Sequence, residues 1–387
     1  MVLKVTTTTR YALLVFLAII GLHSILRISH EDYGRATSLK NIAAQLSWGS
    51  TDLDSVPDEY YMPVETTPPD TLLSRRANAT LLMLARNSDV NDAVKSVRRL
   101  EDRFNRKFGY PWLFLNEEPF SDEFKTRIRN VIHGEVTFAE IPHDHWYQPD
   151  WIDEDRARAG REKMVADNII YGGSVSYRNM CRFNSGFFFR HPLLQNYKWY
   201  WRVEPDVHFH CDISFDPFLY MEDHNKTYAF TITMYEFGAT IPTLWDATKE
   251  FVDAHPQYVA RDNAMGYMSD DGGNSYNNCH FWSNFEIASM DFWRSEAYTK
   301  YFEHLDAKGG FYYERWGDAP VHSIAVALFQ DKSQIQFFDE IGYEHNPYTH
   351  CPRNPDAWAR GKCDCEPKRS FDYDGYSCMR QWDRIWQ

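Results

Sequence analysis

Apolar positions fall into three regimes along the chain. Over 11–26 they run almost unbroken, interrupted by His23 and Ser24, and they follow the basic Lys4 and Arg10. Carried on through Ile28, this run predicts one membrane-spanning signal anchor over 11–28. A cleaved signal peptide would share the basic start and apolar middle, but no small-x-small cleavage site follows. The basic flank places a short tail, 1–10, in the cytosol and the rest of the chain in the lumen. Over 29–74 periodicity disappears, and Pro57, Pro63, Pro68 and Pro69 stand among Thr, Asp and Glu, the composition of an extended stem. The third regime, 75–387, is patterned as a folded body.

That body opens with the apolar run TLLMLA at 80–85, which reads as a buried strand. The polar loop Arg86, Asn87, Ser88 and Asp89 offers helix N-caps, and Val90, Ala93, Val94, Val97, Leu100 and Phe104 follow at helical spacing. After Gly109 and Pro111 comes a second buried strand, WLFL at 112–115. Strand, helix, strand predicts a βαβ unit and a parallel sheet. Ligands of such sheets bind beyond the carboxyl ends of the strands, here the loop of Arg86 and Asn87.

Further on, NYKWYWRVEPDV alternates strictly. Tyr197, Trp199, Trp201 and Val203 share one face, while Lys198, Tyr200, Arg202 and Glu204 share the other. Pro205 cannot donate to a ladder, so the strand should end or bulge there, with Arg202 and Glu204 on one face and Asp206 just beyond. Acids so placed suit a hard divalent cation that bridges a diphosphate.

Composition narrows the field. Lys and Arg total 41 against 55 Asp and Glu, a net charge of −14, so no global basic field draws the chain to nucleic acid. Aromatics make up 16% of residues, a supply that fills a core and also suits a site that packs flat sugars. The sequence has no G-x-G-x-x-G after the first strand, and no G-x-x-x-x-G-K-[ST], G-x-S-x-G or H-E-x-x-H. Dinucleotide enzymes, P-loop ATPases, lipase-type hydrolases and zincins are therefore poor fits. Of the sequons at Asn78 and Asn225, the second lies in a turn-like stretch and is the better acceptor, because Thr80 of the first begins a strand. Seven cysteines is an odd count, so at least one is free or pairs outside the chain. Cys351, Cys363, Cys365 and Cys378 crowd the C-terminus and read as disulfide staples of an irregular tail rather than a zinc knuckle, with connectivity open.

Four longer runs, YWRVEPDVHFHCDISFDPF, YNNCHFWSNFEIASMDFWRS, GGFYYERWGDAPVHSIAVALF and IGYEHNPYTHCP, occur in the order in which they closely resemble the fungal Golgi α-1,2-mannosyltransferases, glycosyltransferase family fifteen. The resemblance covers roughly 75–387. It implies a type II Golgi membrane protein whose catalytic domain is a GT-A-like, Rossmann-type mixed α/β sheet flanked by helices. It also implies a GDP-mannose donor, Mn²⁺, an α-mannoside or mannoprotein glycan acceptor, and retention at the anomeric carbon.

Residue by residue, the resemblance makes Glu204 and His345 the manganese ligands and Tyr177 a donor-phosphate contact. It assigns Tyr171 and Arg202 to the acceptor side and Asp318 to the sugar pocket. Arg86, by topology, and Asp206, by the E-P-D run, are expected on the nucleotide and cation side. Glu286 matches the candidate nucleophile. It either attacks the anomeric carbon, or binds the acceptor and steadies positive charge while departure and attack share one face. His322 begins an apolar helical run and reads as packing. The alternatives are a mannosylphosphate transferase of the same family and a non-catalytic mannan-binding protein.

Overall fold

The structure, a computed structural model, describes residues 75–387. The tail, anchor and stem expected at 1–10, 11–28 and 29–74 lie outside the described residues. Among the described residues no helix is long and apolar enough to cross a membrane.

The expected βαβ unit forms. Strands β1 (Ala79–Leu84) and β2 (Trp112–Asn116) pair in parallel, with Leu81 opposite Trp112, and α1 (Val90–Leu100) crosses between them. The first strand begins one residue earlier than its apolar run suggested. Asp89 stands at the N-cap, yet its carboxylate accepts from the Arg86 backbone N–H (3.0 Å) and guanidinium rather than from the helix. Past Leu100 the helical path loosens into a π-turn over Glu101–Asn105 and ends at Gly109, whose φ of 68° favours a residue without Cβ. A buried carboxylate sits at that turn: Glu101 accepts from Asn105 Nδ2 (2.6 Å) and from Trp112 Nε1 (2.8 Å), tying the helix end to β2.

Strand β3 (Val136–Glu140) adds parallel to β2, and β4 (Trp199–Val203) adds parallel to β1. β5 (Val207–Phe209) leaves for a separate sheet, β6 (Tyr228–Phe230) returns to the main one, and β7 (Thr233–Tyr235) pairs with β8 (Cys279–Phe281). β9 (Phe285–Ser289) runs antiparallel between β4 and β6, and β10 (Ile335–Phe337) lies parallel to β6 at the edge. The seven-stranded order is β10-β6-β9-β4-β1-β2-β3, a mixed α/β sheet dominated by parallel pairs. A second sheet of three strands joins β5 to the hairpin of β11 (Tyr343–His345) and β12 (Tyr348–His350).

The alternation along β4 sorts its side chains as expected. Trp199, Trp201 and Val203 enter one core with Leu81, Met83 and the buried face of α1. Tyr200 and Arg202 face the opposite side, where α2 (Val175–Gly186) and α3 (Asp318–Phe329) pack. Strand β4 ends at Val203, two residues before Pro205.

Disulfides Cys211–Cys363, Cys279–Cys378 and Cys351–Cys365 staple the irregular C-terminal segment, leaving no tail cysteine for zinc. Cys181 is the reduced one, buried in α2. The same segment carries a buried ion pair. His350 Nδ1 lies 3.0 Å from both Asp372 oxygens, and His350 Nε2 donates to the Asp339 carbonyl at 3.1 Å.

Burial alone would lower His350, but the charge and hydrogen bond of Asp372 outweigh it and hold the imidazole above its ordinary 6.5. Burial would likewise raise Asp372, and His350 holds it below the ordinary 3.8. The pair's stabilisation is therefore full between 3.8 and 6.5, and it declines as pH rises through the elevated value of His350 or falls through the depressed value of Asp372. Thermal melting followed from about pH 6 to about pH 9 should show a falling midpoint. Asp372→Asn should cost roughly 3–5 kcal/mol at the acidic end and flatten the slope.

Candidate active site

A cavity of about 770 Å³ opens at the carboxyl ends of β1 and β4, where topology predicts a ligand. Its wall brings together Arg86, Tyr171, Tyr177, Arg202, Glu204, Asp318 and His345. Seven predicted residues from five chain segments thus share one space.

Its floor is a set of charges removed from water. Arg202 donates from Nε to Glu204 Oε1 (2.7 Å) and from Nη1 to Asp318 Oδ2 (2.6 Å). Ser283 Oγ donates to the same Asp318 oxygen at 2.8 Å. Arg202 is 8% exposed and Asp318 5%, so neither has water to fall back on. Burial works against the charge of Arg202, but Glu204, Asp318 and Glu286 hold its pKa far above the ordinary value. Burial would raise Asp318, and Arg202 chiefly keeps it below the carboxylate range. The pair is charged because its geometry is complete.

His345 ends β11, directly before the two-residue turn of Asn346 and Pro347 that leads into β12. Its ring stacks on Trp282 (5.2 Å, 21°), and Nδ1 lies 2.7 Å from Asn284 Nδ2. The Tyr343 hydroxyl reaches both the side-chain and main-chain oxygens of Asn284, at 3.0 and 3.2 Å. An Asn amide placed either way round satisfies these contacts, and with Oδ1 toward the ring the Nε2 lone pair is free for a ligand. Burial lowers the pKa of His345, so the neutral, ligating form prevails, while the charges of Glu204 and Asp206 pull the other way. A half-buried carboxylate and a neutral imidazole on one wall form a donor set that fits a divalent cation.

Asp206 does not line the cavity. It sits exposed in the turn between β4 and β5 with φ 61°, within electrostatic reach of His345. Arg86 does line it, with its guanidinium held by Asp89 at 3.1 Å.

On the far wall, Ser174 caps α2 by accepting from the Tyr177 backbone N–H (3.1 Å), which fixes where the tyrosine leaves the helix. Tyr171 stacks on its ring (4.5 Å, 11°), and the Arg315 guanidinium lies 5.1 Å from the ring centroid. Burial raises the Tyr177 phenol well above its ordinary value, so it remains a hydrogen-bond donor. Tyr171 is 56% exposed, at the mouth.

Glu286 is placed differently from expectation. It stands opposite Arg202 in the β4–β9 register, 1% exposed, and is absent from the cavity wall. Tyr200 donates to Oε1 (2.6 Å), and His322 Nδ1 lies 3.0 Å from Oε2. His322 Nε2 donates to the Asn184 carbonyl (2.9 Å), so this histidine is a fully buried polar link between α3, α2 and β9 rather than apolar packing. In this arrangement Glu286 lies beside Arg202 on the neighbouring strand and its charge helps to hold the guanidinium.

Sequence reasoning passed over Arg315, Glu236, Trp282 and Asn284, which also line the cavity. The last two lie in the same FWSNFEI run as Glu286, and their signal was proximity to it. Glu236 and Arg315, 4.0 Å apart, carry no motif.

Comparison with known proteins bears on this site. A family model described as glycolipid 2-alpha-mannosyltransferase matches residues 39–386. The chain is 55% identical over 313 residues to glycolipid 2-alpha-mannosyltransferase 2 of Candida albicans, covering 81% of this chain and 68% of that protein. It is 52% identical over 310 residues to the alpha-1,2 mannosyltransferase KTR1 of Saccharomyces cerevisiae, covering 80% and 79%. Among solved structures, core-mannan synthase A of Aspergillus fumigatus in its Mn/GDP form aligns with a TM-score of 0.76 at 43% identity, over 80% of this chain and 85% of that one. The mannosyltransferase Ktr4p of S. cerevisiae in complex with GDP aligns at 0.77 and 45%, over 80% and 82%.

The floor of the cavity is testable by itself. Arg202→Met leaves the Asp318 carboxylate buried against one hydroxyl and should cost roughly 3–5 kcal/mol in urea denaturation. Adding Asp318→Asn to that variant should recover part of the loss, whereas independent sites would add.

Proposed function

The chain belongs to the glycolipid 2-alpha-mannosyltransferase family, glycosyltransferase family fifteen, and from that premise we propose that its cavity transfers mannose from GDP-mannose to the 2-hydroxyl of an α-mannoside with manganese as cofactor. One observation carries the reading: Glu204, just past β4, and His345, at the end of β11, both line a cavity at the carboxyl ends of the parallel strands. Those two side chains would hold the cation, which when bound offsets the diphosphate charge and stabilises departing GDP. A chain of net charge −14 needs such local positive charge to take an anionic donor.

The remaining roles follow from the geometry. The nucleotide sits at the β1 end, where Arg86, Asp89 and Glu117 offer polar partners. Tyr177, kept protonated by burial, donates a hydrogen bond to the diphosphate, with the Arg315 cation against its ring. Trp282 and Tyr376 on the wall, with Tyr171 at the mouth, present flat faces to the sugars. Asp318, fixed by Arg202 and Ser283, accepts from a sugar hydroxyl.

An α-linked donor that yields an α-linked product retains its anomeric configuration. Glu286 is walled off from the cavity beneath Arg202, and this supports departure and attack on one face. The bond from the anomeric carbon to phosphate oxygen breaks, the acceptor 2-oxygen bonds to that carbon, and the acceptor proton passes to the leaving phosphate oxygen. Glu286 then acts through Arg202, holding the guanidinium that positions Glu204 and Asp318.

We also propose that 11–28 anchors the chain as a single-pass type II protein in the Golgi membrane, with 29–74 as stem and 75–387 in the lumen. An oxidising compartment accords with three disulfides, and the sequon residue Asn225 is exposed in a turn.

The decisive assay incubates the protein with GDP-mannose and methyl α-mannoside, with and without chelator, and reads product linkage by NMR. An α-1,2 dimannoside lost on chelation is expected, and a phosphorus-containing product would instead identify mannosylphosphate transfer. Glu204→Ala and His345→Ala should each lower turnover by roughly 100-fold or more, with manganese affinity measured by EPR falling in parallel. Glu286→Gln separates the two retaining routes. Same-face transfer predicts a partial loss and no mannosyl-enzyme by mass spectrometry, while a nucleophilic Glu286 predicts near-complete loss and a trappable adduct in the wild type.

A further inference from the structure

Beyond the cavity, a second cluster of ligating side chains gathers at the end of β5. Val207 and Phe209 enter the core, so His208 and, just past the strand, the buried His210 lie together on the other face, their ring centroids 4.3 Å apart. Asp364 meets both: Oδ1 lies 2.7 Å from His210 Nδ1, and Oδ2 lies 3.6 Å from His208 Nε2. One ligand atom from each of the three lies within 4.8 Å of the others.

Two further features make this more than a surface contact. His210 Nε2 lies 3.1 Å from Glu344 Oε2, and Thr349 Oγ1 donates to the same oxygen at 3.2 Å. A carboxylate on the far nitrogen is the support that fixes the orientation of metal-bound imidazoles. The backbone is also fastened covalently, because His210 immediately precedes Cys211 and Asp364 immediately follows Cys363, and those cysteines form a disulfide. The Asp364 N–H donates to the His210 carbonyl at 3.1 Å, and Cys365 is held in turn by Cys351. Ligands remote in sequence are thus locked side by side.

We propose that His208, His210 and Asp364 form a second metal site, separate from the catalytic cavity, that takes zinc and has Glu344 as the orienting group on His210. Two imidazole nitrogens and one carboxylate suit zinc, leaving a fourth position for water. Ligand atoms about 2.1 Å from a zinc stand roughly 3.4 Å apart in a tetrahedron, close to the 3.6 Å between His208 Nε2 and Asp364 Oδ2. The zinc replaces the hydrogen between His210 Nδ1 and Asp364.

Neighbouring charge permits this. Arg103 reaches Asp364 at 3.2 Å but also holds Asp212 at 2.8 Å, which keeps it paired when Asp364 turns to the metal. The Asp364 side chain is half-exposed, giving an ion a way in.

His208 pairs with Glu344 across β5 and β11, and the next residue along β11 is His345. Zinc here rivets the C-terminal segment to the strand pair that carries the catalytic histidine.

The test uses the full chain with its disulfides intact, in a Glu204→Ala background that disables the catalytic cation site. After chelation and dialysis, zinc titration followed by calorimetry and elemental analysis should show one ion per chain at micromolar affinity or tighter, with a raised Tm. His208→Gln and Asp364→Asn should each weaken binding at least tenfold and abolish the Tm shift, while melting like the parent in chelator. No stoichiometric zinc in the Glu204→Ala protein, or equal affinity in variants that fold like the parent, would overturn the proposal. Should one variant fail to fold, the other decides.

Discussion

The arginine at the end of β4 is the interaction on which the site rests. Three acids converge on Arg202: Glu204 at the cavity edge, Asp318 from the start of α3, and Glu286 directly across the sheet. Each alone would resist leaving water, and so would the arginine. Together they form a set in which removing one member exposes the others to an uncompensated desolvation cost. That mutual dependence ties Glu204 to Arg202 at 2.7 Å, and it couples the cavity wall to the sheet centre.

Much of this was legible because it was local. The crossover of β1, α1 and β2 could be read from apolar periodicity and its breakers, and β4 from a strict alternation that sent Trp199 and Trp201 one way and Arg202 the other. Pro205 marked the end of β4 because it has no ladder hydrogen to give. Family resemblance then drew His345 into the cavity, which no spacing argument could have done.

What stayed hidden depends on pairing between distant segments. Nothing in the sequence near Glu286 says that β9 slips in antiparallel beside β4 and places this acid under an arginine rather than beside a sugar. His322 was hidden for the same reason, since its partners Glu286 and Asn184 come from two other elements. Disulfide connectivity and the Arg315–Tyr177 contact are likewise tertiary facts. A residue's type told what it could do; only the fold told whom it met.

The antiparallel strand also sets an order on synthesis. β4 and β6 leave the ribosome well before β9, yet each needs β9 as its neighbour. Until Ser289 has emerged, the middle of the sheet offers open edges on both sides of a gap, with Trp201 and Tyr228 nearby. The two halves of this domain therefore close only once β9 is in place, rather than growing strand by strand, and until then the nascent chain carries unpaired edges.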